Sequence, residues 1–206
     1  SALEDGEEDL YDRVLRCFYG AADTAYGLKS VSLATYPKTG PKRIVEVKLE
    51  WTDSRETLLE QGQQAQERAR EICTEFNGKS DFERLDFVQK YLGDHVRYDD
   101  KAMRVVTERG GGQSRTYTYT AYGALVEGVA AQSGLAHGAK LLLDELGVPS
   151  TLIAGQNGDI SYLWLLVQSE GVWYHYDPTG DHGLMSTEEC KQQGYTWNER
   201  VYDDLS

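Results

Sequence analysis

The sequence lacks any apolar run long enough to cross a bilayer, and it carries little positive charge. A membrane-spanning helix needs roughly 20 consecutive apolar residues, and no run in these 206 residues approaches that length. Lys and Arg number 21 against 34 Asp and Glu, a formal net charge of −13. Because such a chain repels phosphate backbones and anionic membranes and has no basic stripe interleaved with aromatics, we expect neither nucleic-acid binding nor membrane insertion.

Cysteine is also scarce. Cys17, Cys73 and Cys190 have no metal-ligand spacing, and an odd number of cysteines is not a disulfide framework. Cys17 and Cys73 fall on predicted helices, where they are either buried thiols or one disulfide. Cysteine usage therefore does not distinguish an oxidising from a reducing compartment. The first residues, SALEDGEED, show no signal-peptide pattern and are typical of a trimmed end, which leaves open an export signal further upstream.

The hydrophobic patterns predict an α+β fold, because helices and strands fall into separate runs. An N-terminal helix and a strand pair occupy residues 1–57, and a second domain occupies residues 58–206. The predicted elements are helices at 8–19, 57–76, from 80 onward and at 133–146, and strands at 43–51, 150–155, 160–168 and 172–180. Capping boxes are predicted at Thr57–Glu60 and Ser80–Glu83. The segment RGGGQSRTYTYTAYG, residues 109–123, is predicted to be a mobile surface loop that settles into the wall of a groove.

The last two long strands form a hairpin whose register can be predicted. If Val167 lies opposite Val172 across Gln168–Gly171, directly paired residues share a face. The pairs are then Leu165 with Tyr174, Trp164 with His175, and Tyr162 with Asp177. The register therefore predicts a cluster of Tyr162, Trp164, His175 and Asp177 on one face, although an ordinary amphipathic hairpin with aromatic pairs has the same pattern.

Three sequence blocks resemble the transglutaminase-like superfamily, which has a papain-like α+β fold. They are AYGALVEG at 121–128, LLLDELGVP at 141–149 and WYHYDPT at 173–179. The resemblance covers roughly residues 58 to 182, and residues 1–57 resemble an N-terminal extension of this domain. It implies a papain-like core in which a helix packs on an antiparallel sheet.

The resemblance also implies the positions of a Cys–His–Asp triad, in which a thiolate at a helix N-terminus attacks an amide carbonyl. The catalytic cysteine of the family corresponds to Gln132, which stands 15 residues before Gly147. The family histidine corresponds to Tyr162, 15 residues before Asp177. A glutamine amide is not nucleophilic, and a phenol with a pKa of about 10 is a poor base at neutral pH. We therefore expect no acyl transfer by the family route.

Four other places carry residue types that suit substitute chemistry or ligand binding. Ser133 and His137 share a helix face, but an exposed polar face is the more ordinary interpretation. Cys190 has no predicted histidine partner and is expected to be a plain thiol. Asp177, Asp181 and His182 have residue types that suit a metal, but DPTGDHG is also an ordinary polar turn, and RGGGQ lacks the Lys-Ser/Thr of a phosphate-binding loop. We expect no cofactor and no metal.

The sequence thus predicts a transglutaminase-like pseudoenzyme with a neutral, hydrogen-bonding groove. The predicted groove residues are Gln132, Ser133, Tyr162, Trp164, His175 and Asp177, and Tyr162 is expected to donate a hydrogen bond to Asp177. The expected ligand is a peptide or a cell-wall-associated protein, and family analogy suggests an extracellular or cell-envelope location. Two alternatives stay open: a scaffold whose groove is filled by Tyr162, and an active transglutaminase or amidase with a substitute nucleophile.

Overall fold

Several helices pack on one buried helix at the centre of the core. The computed structural model describes residues 2–19, 27–37, 42, 44–100, 116–180 and 182–205. The helices are α1 (Ala2–Tyr19), α2 (Arg55–Cys73), α3 (Asp81–His95), α4 (Ala121–Leu125), α5 (Gln132–Glu145) and α6 (Thr187–Gln192), with a 3-10 turn at Thr116–Tyr119 before α4 and two more after residue 198. None of the described helices combines the length and the apolar character that a membrane crossing requires.

The strands form three sheets. They are β1 (Leu28–Tyr36), β2 (Ile44–Trp51), β3 (Arg97–Tyr98), β4 (Val129–Ala130), β5 (Ser150–Asn157), β6 (Ile160–Ser169), β7 (Val172–Tyr176), β8 (Leu184–Met185) and β9 (Tyr195–Thr196). In the described residues β1 and β2 form a hairpin, β3 and β4 a short parallel pair, and the others an antiparallel sheet in the order β8-β7-β6-β5-β9. This mixture of helices and antiparallel sheet confirms the α+β expectation.

The five-stranded sheet separates two hydrophobic clusters because successive side chains on a strand point to opposite faces. Leu163 and Leu165 of β6 join the larger cluster with α2, α3 and α5. Trp164 and Leu166 of the same strand join a smaller cluster with α6, β8 and the C-terminal segment. Helix α5 is buried at every residue from 134 to 143, so it is the core helix on which the sheet packs.

The N-terminal helix packs on the rest of the molecule. Helix α1 contacts β5 and the 3-10 turn at Glu199–Val201. The Arg16 guanidinium donates to the Val201 carbonyl and pairs with Asp204 at 2.5–2.8 Å. The predicted boundary between residues 57 and 58 thus separates segments that touch through α1.

The observed hairpin register differs by two residues from the predicted one. Ser169 pairs with Val172, and Leu166 rather than Trp164 lies opposite His175. The connecting turn consists of two residues only, Glu170 and Gly171, with φ values of 51° and 81°. A two-residue shift preserves which face each side chain takes, because strand side chains repeat with period two. The predicted pairs are wrong, but Trp164 and His175 do lie together.

Three local expectations are corrected and one is confirmed. Helix α2 begins at Arg55, because Ser54 rather than Thr57 is its cap and accepts from the Thr57 N–H at 3.2 Å. Cys17, Cys73 and Cys190 are free thiols, and Cys17 is exposed rather than buried. The second capping box, Ser80–Glu83, is confirmed. Residues 116–125 are helical rather than loop, with Thr118 and Thr120 buried, and residues 101–115 lie outside the described part.

Candidate functional site

The candidate site begins at the N-terminus of α5, where the family resemblance places a nucleophile. Ala131 precedes the helix and has no side chain that could cap it. Its N–H instead donates to the Thr118 carbonyl at 2.8 Å. A Cβ atom on Gly134 would lie 2.1 Å from that same carbonyl oxygen, so glycine is required for the 3-10 turn to cross so close to the helix.

Gln132 is bound to the sheet through both ends of its amide. Its Nε2 donates to the Leu163 carbonyl, and its Oε1 accepts from the Leu163 N–H at 3.2 Å. In the observed register the residue opposite Leu163 on an extended β7 would be Pro178, which has no N–H to donate. Strand β7 ends at Tyr176, and the Gln132 amide takes the place of the missing strand partner.

Asp177 lies in a buried network of hydroxyl donors. Its Oδ1 accepts from the Thr179 N–H at 2.9 Å and the Thr179 hydroxyl at 2.7 Å, and its Oδ2 accepts from the Tyr195 hydroxyl at 2.5 Å. The Tyr162 hydroxyl bonds to Thr179 Oγ1 at 2.6 Å. The phenol with the short bond to Asp177 is therefore Tyr195, and Tyr162 reaches the carboxylate through Thr179.

Both phenols are poor proton acceptors. Burial, and next the negative charge of Asp177, raise the pKa of Tyr162 well above its usual value. Burial and then the hydrogen bond to Asp177 raise the pKa of Tyr195 in the same direction. Neither side chain can act as a base near neutral pH.

Trp164 and His175 form a buried pair behind this network. The indole Nε1–H donates to His175 Nδ1 at 2.9 Å, and Trp164 is 0% and His175 2% exposed. Burial, and then the charge of Lys191, lower the pKa of His175 to about 4. The ring is thus neutral at pH 7, consistent with its acceptance of the indole proton.

A cleft of about 1230 Å³ opens beside the α5 N-terminus. Of the six predicted groove residues, Gln132, Ser133 and Tyr162 line it. Trp164, His175 and Asp177 do not; they are buried behind its wall, with exposures of 3% or less. Three of the six residues thus line the cleft and three lie behind it, because strand alternation identifies a shared face but not how deep each side chain lies.

The rest of the cleft wall comes from the N-terminal and C-terminal segments and is rich in aromatic rings. Tyr119 belongs to the segment 109–123, which the sequence predicts to settle into the wall of a groove. The aromatic lining residues are Tyr11, Tyr19, Trp51, Tyr119, Tyr162 and Trp197. The β5 and β6 strands contribute Gly155, Gln156 and Ser161.

Ser133 and His137 both line the cleft one helical turn apart, but no hydrogen bond joins them among those found in the described residues. The Ser133 hydroxyl lies 3.5 Å from the Tyr119 carbonyl, a long contact. His137 is 7% exposed, its Nδ1 has no partner in the described structure, and burial lowers its pKa to about 4.

The described residues do not assemble a metal site. No group of three or more His, Cys, Asp and Glu side chains lies close enough together there to hold an ion. Asp181, one of the three residues weighed as ligands, falls outside the described residues. Cys190 is buried, and burial, then the charge of Asp177, raise the pKa of its thiol to about 12.

The architecture has counterparts among solved structures. A crystal structure described as a TGase superposes with a TM-score of 0.51 over 82% of this chain, at 15% sequence identity. The chain has a transglutaminase-like fold. It spans about half the length of that structure, 50% of its residues.

Two further structures with provisional protease assignments superpose less closely on this chain. A protein from Cytophaga hutchinsonii, named as a cysteine protease, gives a TM-score of 0.42 at 15% identity, covering 77% of this chain and 68% of its own. A protein from Parabacteroides distasonis, named as a protease, gives 0.40 at 12% identity, covering 80% and 37%. No protein-family model and no curated protein matches the sequence.

Sequence reasoning missed two residues of the hydrogen-bond network around Asp177. Thr179 could have been found, because an Asp accepting from the N–H two residues later is a common turn. Tyr195 had no local signal, since it reaches Asp177 from β9 across 18 residues.

Proposed function

We propose that this chain is a non-catalytic module that binds an extended peptide by adding it as a strand to β6 within the cleft. The observation that carries the proposal is an open position in the strand ladder at Ser161, next to Gln132.

Strand β6 forms one hairpin with β5 and another with β7, and together they determine toward which neighbour each of its backbone groups points. Asn157 pairs with Ile160 across a two-residue turn, and Ser169 pairs with Val172 across another. In antiparallel pairs hydrogen-bonded positions alternate, so odd-numbered residues of β6 direct their N–H and C=O groups toward β7. Leu163 and Ser161 are both on this side.

Strand β7 does not extend far enough to cover these groups. The residue opposite Ser161 would be Gly180, but its N–H donates to the Asp177 carbonyl and its own carbonyl accepts from Gln89. Gln132 covers Leu163, whereas Ser161 is exposed, lines the cleft and has no hydrogen-bond partner among the described residues on this edge. An unpaired strand position inside an aromatic cleft is suited to bind an extended peptide backbone.

The proposed absence of catalysis follows from the same geometry. The Gln132 amide has no nucleophilic atom, and both its ends are occupied by Leu163. Incubation with an amine and a glutamine peptide should release no ammonia. Turnover that disappears in Ser133→Ala would overturn this part and support the enzyme alternative.

Two substitutions at one position test peptide binding. Panning a random peptide library should yield binders, and Ser161→Pro should weaken them about tenfold because it removes one N–H donor. Ser161→Ala is the matched control, since it alters only the side chain and should bind normally. Equal binding by both variants, or no binders at all, would contradict the strand-addition proposal.

An extracellular or cell-envelope location is proposed by analogy with bacterial transglutaminase-like proteins. Fractionation of the producing cell should recover the protein outside the cytoplasm, and recovery in the cytoplasm alone would reject this location.

A further inference from the structure

The β1–β2 hairpin forms a sheet of its own in the described residues, and its second strand has an open edge. Every residue of β2 except Leu49 is exposed. On one face of the strand Val45, Val47 and Trp51 are 40%, 42% and 43% exposed. A two-stranded sheet has little stability by itself, and an exposed strand edge is a template for a further strand. The edge of β2 is therefore a candidate interaction surface.

The hydrogen-bonding groups on this open edge belong to the odd-numbered residues of β2. The Thr52 N–H donates to the Gly27 carbonyl at 2.8 Å, so residue 52 bonds on the side of β1. Strand backbone groups alternate between the two sides of a strand, and β2 keeps this alternation because the register shift lies in β1. The even-numbered residues of β2 thus bond toward β1, whereas the N–H and C=O groups of Val45, Val47 and Leu49 point to the open edge.

The polar face of β2 carries charges of alternating sign. Glu46, Lys48 and Glu50 follow one another on this face, and all three are exposed. The Lys48 Nζ lies 3.5 Å from the Glu50 Oε1. Opposite charges that face each other across an antiparallel pair stabilise it, and like charges destabilise it. The charges therefore select both the partner strand and its register.

Two copies of β2 complement each other when they pair antiparallel about a twofold axis at Val47. Each Glu46 then lies opposite the partner's Lys48, so two opposite-charge pairs form. Val47 faces the partner's Val47, and Val45 faces the partner's Leu49. The backbone groups that point to the open edge thus meet in hydrogen-bonded pairs, and the apolar faces of the two hairpins become continuous.

Other symmetric registers fit less well. An axis at Lys48 or at Glu46 places that residue opposite the same residue of the partner, so like charges meet. An axis at Leu49 overlaps residues 47–51 only, whereas the axis at Val47 overlaps residues 44–50. An axis between two residues sets a group that points outward against one that bonds to β1. The sequence of β2 therefore favours one self-pairing.

We propose that two copies of this chain form a symmetric dimer through β2, which joins their hairpins into one four-stranded antiparallel sheet in the order β1-β2-β2-β1. Pairing of one surface with itself about a twofold axis is the commonest form of homodimer. The contact is limited to one strand edge, and each copy carries a net charge of −13. We therefore expect a weak dimer whose population depends on protein concentration.

The first test changes the charges of the proposed interface. Sedimentation equilibrium from about 1 μM to about 1 mM should show association to twice the mass of one chain. Glu46→Lys and Lys48→Glu each place like charges opposite one another at both symmetric positions, so each should weaken dimerisation about tenfold. An equimolar mixture of the two variants should restore dimerisation, because every charged pair then joins a lysine to a glutamate.

Glu75→Lys is the matched control for these variants. Glu75 is exposed and lies outside the hairpin, and its replacement changes the net charge as Glu46→Lys does. This variant should dimerise like the unsubstituted protein. The substituted side chains of the hairpin are exposed as well, so none of the variants removes a buried contact.

The second test locates the contact by amide hydrogen exchange measured with NMR. Raising the protein concentration should slow exchange at Val45, Val47 and Leu49, whose N–H groups face the partner. Exchange at Glu46 and Lys48 should not respond, because their N–H groups already bond to β1 in the single chain. This alternation along the strand distinguishes edge pairing from a contact through a face of the hairpin.

Three results would overturn the proposal. A single chain at every concentration rejects the dimer. Association that neither charge variant weakens, or that the mixture does not restore, rejects pairing through β2. Concentration-dependent protection that lies outside β2, or that does not alternate along it, shows a different interface.

Discussion

At the scale of single residues, Gln132 joins the N-terminus of α5 to the sheet through its side-chain amide. The family resemblance predicts its place at the α5 N-terminus, and the structure shows its amide bound to both backbone groups of Leu163. Proline at 178 removes the donor that a longer β7 would offer at this position. A glutamine amide supplies a donor and an acceptor together, which explains why this residue type fits.

Substitution of Gln132 should therefore lower stability. Gln132→Glu replaces the donor with a carboxylate oxygen facing the Leu163 carbonyl, and we expect the free energy of unfolding to fall by about 1–3 kcal/mol. Urea denaturation measures this loss. Exposed Gln193 provides the matched control, since Gln193→Glu should change stability by less than about 0.5 kcal/mol. Similar losses from both substitutions would contradict a structural role for the Gln132 amide.

At the scale of elements, the β6–β7 hairpin shows which part of a register is predictable. Alternation predicts the faces correctly, and for this reason Trp164 and His175 lie together, with a bond of 2.9 Å. The exact pairing depends on the turn, where Glu170 and Gly171 both take positive φ. A glutamate at the first position of such a turn is unusual, because Asn-Gly is the preferred pair. For this reason the sequence around Glu170 does not predict a two-residue turn.

This turn gives an element-scale prediction. Gly171→Ala should lower the free energy of unfolding by about 1 kcal/mol, since φ of +81° disfavours a Cβ atom although the space around it is open. Glu170→Asn should raise it by up to about 1 kcal/mol, because asparagine tolerates positive φ. Thermal unfolding should show opposite shifts of roughly 2–4 °C. Shifts in the same direction would rule out the two-residue turn.

At the scale of the whole molecule, two buried neutral histidines couple stability to pH. The pKa values of His137 and His175 are about 4 when folded, against an ordinary value of 6.5. Unfolding lets both rings take up a proton. Their contribution to the free energy of unfolding is therefore complete above pH 6.5 and is lost as pH falls toward 4.

We expect the free energy of unfolding to fall by about 2 kcal/mol between pH 6 and pH 5, as two histidines that protonate only on unfolding would require. Denaturant titrations across this range provide the measurement. His137→Gln should roughly halve the slope, whereas His95→Gln, at an exposed position, should leave it unchanged. If both variants keep the pH slope of the unsubstituted protein, the pH dependence of the free energy of unfolding arises from other groups.

The sequence by itself determined the fold class, most of the long helices and strands, and the places of Gln132, Tyr162 and Asp177 along them. These follow from periodicity, capping and motif spacing, which are local along the chain. Tertiary structure alone decided that Gln132 binds Leu163, that Tyr195 satisfies Asp177 from β9, and that α1 forms a wall of the cleft. Those contacts join residues 18 or more positions apart, and such partners are set by how the elements pack, for which the sequence carries no local signal.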